Sequence, residues 1–450
     1  MAYTDLRDFI QRLEQEGEII TIKDTLDPRF EISALFAELG KREGNPAAII
    51  ENVKGYDIPV VGNLLGSRKR VALALETEEE NIFQKYSEVN EKLIPPRIVS
   101  QAPVKEVIFN KNIDILKHLP VLTNHEKDAS PYITQGLVFS KDPGTGSKTM
   151  GVHRLQVKDN NKLGIFLASK TSTEYFRKAE ESGRPLSVAI AIGVEPVILL
   201  ASIGWFPFGD KLTLAGNLRG EPLDLIPAES IDLEVPAHAM FILEGKILPD
   251  IRETEGPFGE STGYYITAQN PVIEITTITH QKDPIYSIFK PFSVEDDLLT
   301  TLFFKNNTIK ELKNVIPSVQ DIVISMCSAH AIISIKKREE WEARTALYSI
   351  LSNNQYIKHA VIVDDDIDIY NPHEVEWAIS SRFQADRDLV ILNDLGGSFI
   401  DPSTRDGCIS AKMGLDATKP LNQAEKFEKI KIPKQAQEKV KDILRKMKLK

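Results

Sequence analysis

Cysteine is nearly missing: Cys327 and Cys408 are the only two in 450 residues. Two cysteines with no metal-type spacing exclude a disulfide framework and a thiolate metal site. A reducing, cytoplasmic setting is the expectation. Long apolar runs are missing as well. The nearest, "VAIAIGVEPVILLAS" (188–202), is broken by Gly193, Glu195 and Pro196, short of the ~18–20 residues of a membrane span. The start, "MAYTDLRDFIQRL", carries acids where a signal peptide has an apolar core. Basic excess is missing too, since 55 Lys and Arg stand against 65 Asp and Glu for a net charge of −10. With no basic stripe before the tail "KVKDILRKMKLK", a nucleic-acid partner is not expected. There is no internal repeat or low-complexity tract.

What is present is an ordinary globular composition, 42% hydrophobic and 27% charged. The spacing of Leu6, Phe9, Ile10 and Leu13 predicts a helix over 4–16, with Thr4 as N-cap and Gly17 past its end. "EIITI", the helical "EISALFAELGKREG", "AAIIENV" and "IPVVGNL" make the first ~110 residues mixed α/β. "IPPRIVSQAPVKEVIF" reads as an extended connector. Between 115 and 300 short β-branched runs dominate: "ITQGLVFSKD", "HRLQVKD", "KLGIFLAS", "LSVAIAIG", "PVILLAS", "VIEITTITHQ" and "PIYSIF". "TSTEYFRKAEESG" and "GDKLTLAGNLRG" are the helical exceptions. This is the pattern of a barrel-like β domain. After 300, helical "LLTTLFFKNNTIKEL", "EEWEARTALYSILSNN" and "PHEVEWAISSRF" alternate with the strand runs "DIVISMC", "AIISIKK", "HAVIVDDDI" and "DLVILND". A second α/β layer follows.

The stretch Glu255-Gly-Pro-Phe-Gly-Glu260 holds two acids five residues apart on what reads as a stiff, glycine-punctuated turn. Neighbouring carboxylates split in pKa, so one can keep a proton while the other stays charged. A solvated acidic loop is the competing reading, supported by Asp250 and Glu253. Arg154 lies in a strand pattern. By alternation alone it reads as an exposed arginine; facing inward it needs a carboxylate or an anionic ligand. "DDDIDIY" (364–370) lacks the glycine and terminal glutamate of a calcium loop and reads as a solvated strand end. "GTGSKT" (144–149) lacks a full phosphate-loop spacing and reads as a hairpin turn.

Taken together, these segments resemble the UbiD family of reversible decarboxylases. The 255–260 motif followed by Gly263-Tyr264, "GVHRLQV" (151–157), "AGNLRGEP" (215–222), "VPAHAMFILEG" (235–245), "VIVDDDID" (361–368) and "KMGLDAT" (412–418) resemble that family's landmarks in order. The N-terminal "DLRDFIQRLEQEGEIITI" resembles its opening. The resemblance implies an N-terminal α/β portion (1–114), a central split β-barrel of flavin-reductase type (115–305) and a C-terminal α/β domain used in oligomerisation (306–450). It implies prenylated FMN as cofactor, made by a separate flavin prenyltransferase, and an unsaturated or aromatic carboxylic acid as substrate. Arg154, Glu255 and Glu260 match the family's catalytic set. Arg154 would pair with Glu255 and engage the substrate carboxylate, and Glu260, its pKa raised by desolvation, would protonate the carbon left by CO2. The modified flavin would act as the electron sink. The implied flavin contacts are Thr149, Val152, His153, Arg154, Ser169, Lys170, Ser202 and Lys412. "SIFKPFSVEDD" (287–297), with Phe289, Lys290 and Phe292, would line the substrate side. A homodimer or larger homo-oligomer is implied, with the apolar positions of 436–450 suited to packing on a neighbour or on its own domain. A non-catalytic partner subunit of a carboxylase assembly and a plain FMN-binding oxidoreductase are the alternatives.

The chain departs from the family at the metal. Where the family places an Asn, a His and a Glu, this sequence has Thr149, Lys170 (with Ser169 as the alternative alignment) and Met240. Hydroxyl, ammonium and thioether do not make a site for a hard divalent cation. No divalent metal is therefore expected there, and potassium or sodium is left open. The Lys170 ammonium would then take the metal's place against the flavin phosphate, with Met240 filling the space of the missing carboxylate.

Overall fold

The computed structural model describes residues 3–88, 93–167, 169–204, 210–325, 329–405 and 408–446. Cys327, Ala168 at the end of "KLGIFLAS", Gly209 at the head of "GDKLTLAGNLRG" and residues 447–450 lie outside these. The chain forms two compact units. The first holds 1–307, 324–329 and 398–404, and the second holds 308–323, 330–397 and 405–450.

In the first unit a four-stranded sheet runs in the order β1 (Ile19–Ile22), β2 (Ala47–Ile50), β3 (Val60–Gly62) and β14 (Tyr286–Ile288). A three-stranded sheet joins β4 (Arg97–Ile98), β10 (Asp224–Pro227) and β11 (Glu234–Pro236), with β10 in the middle. The largest sheet has seven strands: β12 (Phe241–Gly259), β9 (Leu186–Ile192), β6 (Tyr132–Lys141), β7 (Lys148–Asp159), β8 (Lys162–Ile165), β13 (Tyr265–His280) and β5 (Val107–Phe109). β12 also pairs with β13, so six of the strands close into a ring. Closure leaves only short free edges, which protects a long sheet from pairing with another chain. Each ring strand carries β-branched and aliphatic residues that are fully buried, Val188 to Ile192 among them. Asp142 turns the β6–β7 hairpin, its Oδ1 accepting from the Gly144 and Thr145 N–H groups, as the "GTGSKT" reading expects.

The second unit is a five-stranded sheet in the order β15 (Val319–Ser325), β16 (His330–Ile335), β17 (His359–Asp364), β19 (Ile409–Ala417) and β18 (Leu389–Gly396). β16, β17 and β19 are mutually parallel and β18 is antiparallel to β19. Helices Trp341–Asn353 and Pro372–Arg382 lie in the same unit. The terminal helix Lys434–Lys446 is amphipathic, yet it buries none of its residues.

Three sequence readings need correction. "PVILLAS" is not a strand but the helix Pro196–Ile203. A short, wholly apolar run fits either state, and Pro196 in the first helical turn tips it. The aspartates of 364–366 are not simply solvated, because Arg382 holds Asp364 at 2.7 Å and Asp366 at 3.0 Å. Finally, the first helix spans Leu6–Gln15 and its N-cap is Asp5, whose carboxylate accepts from the Arg7 and Asp8 N–H groups. An aspartate adds charge to the same capping geometry and so outcompetes Thr4 at the positive end of the helix dipole. Asp5→Ala should therefore cost about 1 kcal/mol in denaturant unfolding, and Thr4→Ala less than about 0.5 kcal/mol. The reverse order would return the cap to Thr4.

Candidate active site

Glu255 and Glu260 are carried by a long strand, not by a free turn. β12 runs through Gly259 and pairs Glu255 with Ala268 and Phe258 with Ile266, with a register shift between them. This bulge adds one residue to β12 and re-aims its side chains. Gly256 is required there: its φ is +102°, and a Cβ would lie 2.4 Å from the Ile266 carbonyl oxygen. Gly259 is required by close approach, since a Cβ would lie 2.3 Å from His125 Nδ1. Beyond the strand, Glu260 N–H donates to Tyr264 O and Gly263 N–H to Glu260 O, a tight turn that fixes the second acid.

The ring brings Arg154 of β7 to these acids. Contrary to the alternation reading, Arg154 is buried at 9% exposure. Its Nε donates to Glu255 Oε1 at 3.2 Å and Nη2 to Oε2 at 2.7 Å, a two-pronged pair. Nη1 faces Glu260 Oε1. The guanidinium lies between two aromatic faces, 4.8 Å from the Phe166 ring and 4.9 Å from Phe258. Glu255 is fully buried and takes a further hydrogen bond from Asn270 Nδ2 at 3.0 Å. Glu260 keeps 13% of its side chain exposed. The first acid is thus locked and the second is reachable.

Several supporting residues carry no sequence signal of their own. Gln156 Oε1 accepts the Gly256 N–H at 3.2 Å and Asp128 Oδ1 the Gly259 N–H at 2.9 Å. Together they pin both sides of the bulge. Tyr132 packs on Phe258 with ring centroids 4.3 Å apart. Burial and the Glu255 charge push its phenol pKa up. Only the polar Gln156 and Asn270 inside apolar strand patterns could have hinted at such roles.

Next to the acids is a cleft of about 470 Å³ lined by Ser261, Lys290, Phe292, Phe36, Glu295 and Asp296, among others. Lys290 is buried and donates to the Pro291 carbonyl at 2.8 Å. The segment expected on the substrate side therefore adjoins the residue after Glu260. A larger cleft beside the first helix, lined by Asp8, Arg12, Glu16, Lys69 and Glu76, shares no residue with the acid cluster.

The expected flavin contacts divide into groups. Thr149, Val152 and His153 lie on β7 with Arg154. His153 is buried, its Nδ1 sits 2.9 Å from the Phe166 carbonyl oxygen, and its Nε2 has no hydrogen-bond partner among the described residues. A carbonyl can only accept, so Nδ1 carries the proton and Nε2 is a free acceptor. Ser169 caps the helix Lys170–Glu181, and Lys170 is exposed at its first position. Ser202 is buried and donates to Leu199 O. Met240 is fully buried in the core. Lys412 lies on β19 of the second unit, where its ammonium donates to the Asn354 carbonyl. Among the described residues no three His, Cys, Asp or Glu side chains gather as a metal site.

A closed β ring that buries an arginine between two glutamates defines a site for handling carboxylates. Family models agree with the fold. Those described as the N-terminal, Rift-related and C-terminal domains of 3-octaprenyl-4-hydroxybenzoate carboxy-lyase match residues 10–89, 97–291 and 301–417. The chain belongs to the UbiD family and is a carboxy-lyase of that family. It is 33% identical over 430 residues to the anhydromevalonate phosphate decarboxylase of Methanothermobacter thermautotrophicus, covering 94% of this chain and 99% of that one. Among solved structures it is similar to the UbiD-class enzyme HmfF from Pelotomaculum thermopropionicum in complex with FMN, with TM-score 0.89 and 42% identity, covering 95% of this chain and 97% of that one. It is also similar to the vanillic acid decarboxylase of Sedimentibacter hydroxybenzoicus, with TM-score 0.85, 30% identity and 99% of both chains covered. No helix among the described residues is long and apolar enough to cross a membrane.

His153 gives a test of the site without any ligand. Burial pushes its pKa from 6.5 down to about 4, opposed in part by the hydrogen bond to the Phe166 carbonyl and helped by a lesser effect of the Lys211 charge. Between these values the unfolded chain binds a proton that the folded chain refuses, so stability falls as pH drops from 6.5 to 4. The slope from this residue is at most about 1.4 kcal/mol per pH unit. Thermal unfolding of flavin-free His153→Gln should lose less stability between pH 6.5 and 4.5 than the wild type does. Equal losses would mean that His153 is not held neutral.

Proposed function

We propose that the chain catalyses the reversible, non-oxidative decarboxylation of an unsaturated or aromatic carboxylic acid with prenylated FMN. The observation that carries the reading is Arg154 held between a locked Glu255 and a reachable Glu260. The ring of six strands would then be the split β-barrel that holds the flavin, flanked by the N-terminal portion (1–114) and the C-terminal domain (306–450). A free acceptor at His153 Nε2 suits a hydroxyl-bearing ligand such as the flavin's ribityl chain. Prenylated FMN, when bound, supplies the electron sink that makes CO2 loss feasible.

The chain's own residues do the rest. Arg154 keeps two nitrogens on Glu255 and turns Nη1 toward the open side, where a substrate carboxylate competes with Glu260 for it. Both Glu255 oxygens are already engaged, accepting from Arg154 and Asn270. It therefore orients the guanidinium rather than taking part in proton transfer. Glu260 delivers a proton to the carbon that loses CO2, and in carboxylation it removes one. The neighbouring cleft accepts the acid's body against Phe36 and Phe292. Relatives named for vanillic acid and for 3,4-dihydroxybenzoic acid favour an aromatic acid. One named for anhydromevalonate phosphate keeps an aliphatic acid in view.

Protein co-expressed with a flavin prenyltransferase is the material for the test. It should carry a modified-flavin spectrum and release CO2 from a panel of such acids. Glu260→Gln should retain the flavin spectrum and lose about 10²–10⁴-fold in turnover and in substrate deuterium exchange. Bound ordinary FMN with nicotinamide oxidation, or no flavin at all, would refute the reading.

A further inference from the structure

The metal expected by family resemblance does not suit the donors at its place, yet a phosphorylated flavin brings two negative charges that need an answer. Lys170 is in solvent at the first position of its helix. A different lysine lies at the site. Lys211 opens the helix Lys211–Arg219, and it lines the same narrow crevice as Thr149, the first of the substituted positions. Its ammonium donates to the main-chain carbonyl of Ser202, another of the expected flavin contacts. An ammonium has three N–H donors, and a carbonyl satisfies one.

The acids that share this crevice are already committed. Asp210 Oδ1 caps the helix at the Thr213 N–H, 2.7 Å away. Glu234 pairs with Lys148 at 2.7 Å and Lys141 at 3.8 Å. Among the described residues no carboxylate pairs with Lys211. Lys211 is half-buried, and partial burial lowers its pKa with no carboxylate raising it. The second observation is His153, close enough to feel the Lys211 charge, with a buried Nε2 that lacks a partner. A cation missing an anion in the crevice of Thr149, and an acceptor missing a donor four residues further along the same strand as Thr149, fit a phosphate followed by a hydroxylated chain.

We propose that the Lys211 ammonium replaces the divalent metal in this chain as the charge that receives the flavin phosphate. The inference rests on the flavin reading above. It assigns the role to Lys211 rather than Lys170, and it makes cofactor binding independent of manganese.

The test is a titration of flavin-free protein with FMN and with riboflavin, in EDTA, read by flavin fluorescence. The wild type should bind FMN more tightly than riboflavin, and manganese should not change the difference. Lys211→Gln should weaken FMN by about 10- to 100-fold, the worth of one charge-assisted hydrogen bond, and leave riboflavin within about threefold. Lys211→Arg should restore most of the loss. Riboflavin binding serves as the check that the variants fold. FMN affinity that collapses in EDTA and returns with manganese overturns the proposal, as does a Lys211→Gln variant that binds FMN like the wild type or weakens both flavins equally. Those results leave the flavin reading standing, whereas a wild type that binds neither flavin removes both.

Discussion

The pair between Arg154 and Glu255 is the constraint around which the first unit is arranged. Both side chains are almost fully withdrawn from water, and either one alone would be an uncompensated buried charge costing about 3–5 kcal/mol. The two sit 101 residues apart in sequence, on β7 and β12, which are not neighbours in the ring. The bond therefore spans the ring rather than following a ladder. It can form only if β12 pairs with β13 and closes the sheet. Asn270 on β13 completes Glu255, so the strand that closes the ring also satisfies the acid. Phe166 and Phe258 cover the guanidinium and keep water from competing for it.

Locking Glu255 also sets what Glu260 can do. The bulge between Glu255 and Phe258 separates a residue bound by the core from one at the rim. Without it, the period of two along a strand would put the residue five positions on at the opposite face. The one extra residue and the Glu260–Tyr264 turn bring the second acid back to the same guanidinium. Gln156 and Asp128 hold the bulge through its main-chain N–H groups, so the geometry is built from backbone contacts that no side-chain motif reports.

This explains what the sequence could and could not tell. Periodic segments were legible because one face decides them: Leu6, Phe9, Ile10 and Leu13 are all buried, as their spacing requires. The order of α/β, then β, then α/β segments was legible for the same reason. Gly256, Pro257 and Gly259 signalled an irregular backbone, but glycine and proline mark turns and bulges alike, and the structure holds a bulge. Arg154 could not be placed by alternation, since its burial depends on a partner on another strand. The pairing of Asp364 and Asp366 with Arg382 was hidden in the same way, across a loop and a helix. Family resemblance supplied the Arg–Glu–Glu association that local chemistry left open.

Three arginines and three lysines withdrawn from water meet different partners in this chain. The buried arginines each hold a carboxylate: Arg154 with Glu255, Arg70 with Glu18, and Arg382 with Asp364. A planar fork suits a carboxylate, and each of these arginines has its charge matched by one. The half-buried Lys211 and the buried Lys290 and Lys412 instead donate to main-chain carbonyls of Ser202, Pro291 and Asn354. A carbonyl dipole satisfies a donor but does not neutralise a charge, and burial lowers the pKa of all three ammonium groups. Such a residue is costly to the fold unless something anionic arrives. Lys290 lies in the cleft beside Glu260, and Lys211 lies in the crevice of Thr149. Arg70 and Arg382 are thus matched within the protein, while Arg154 Nη1, Lys211 and Lys290 are left for what the protein binds.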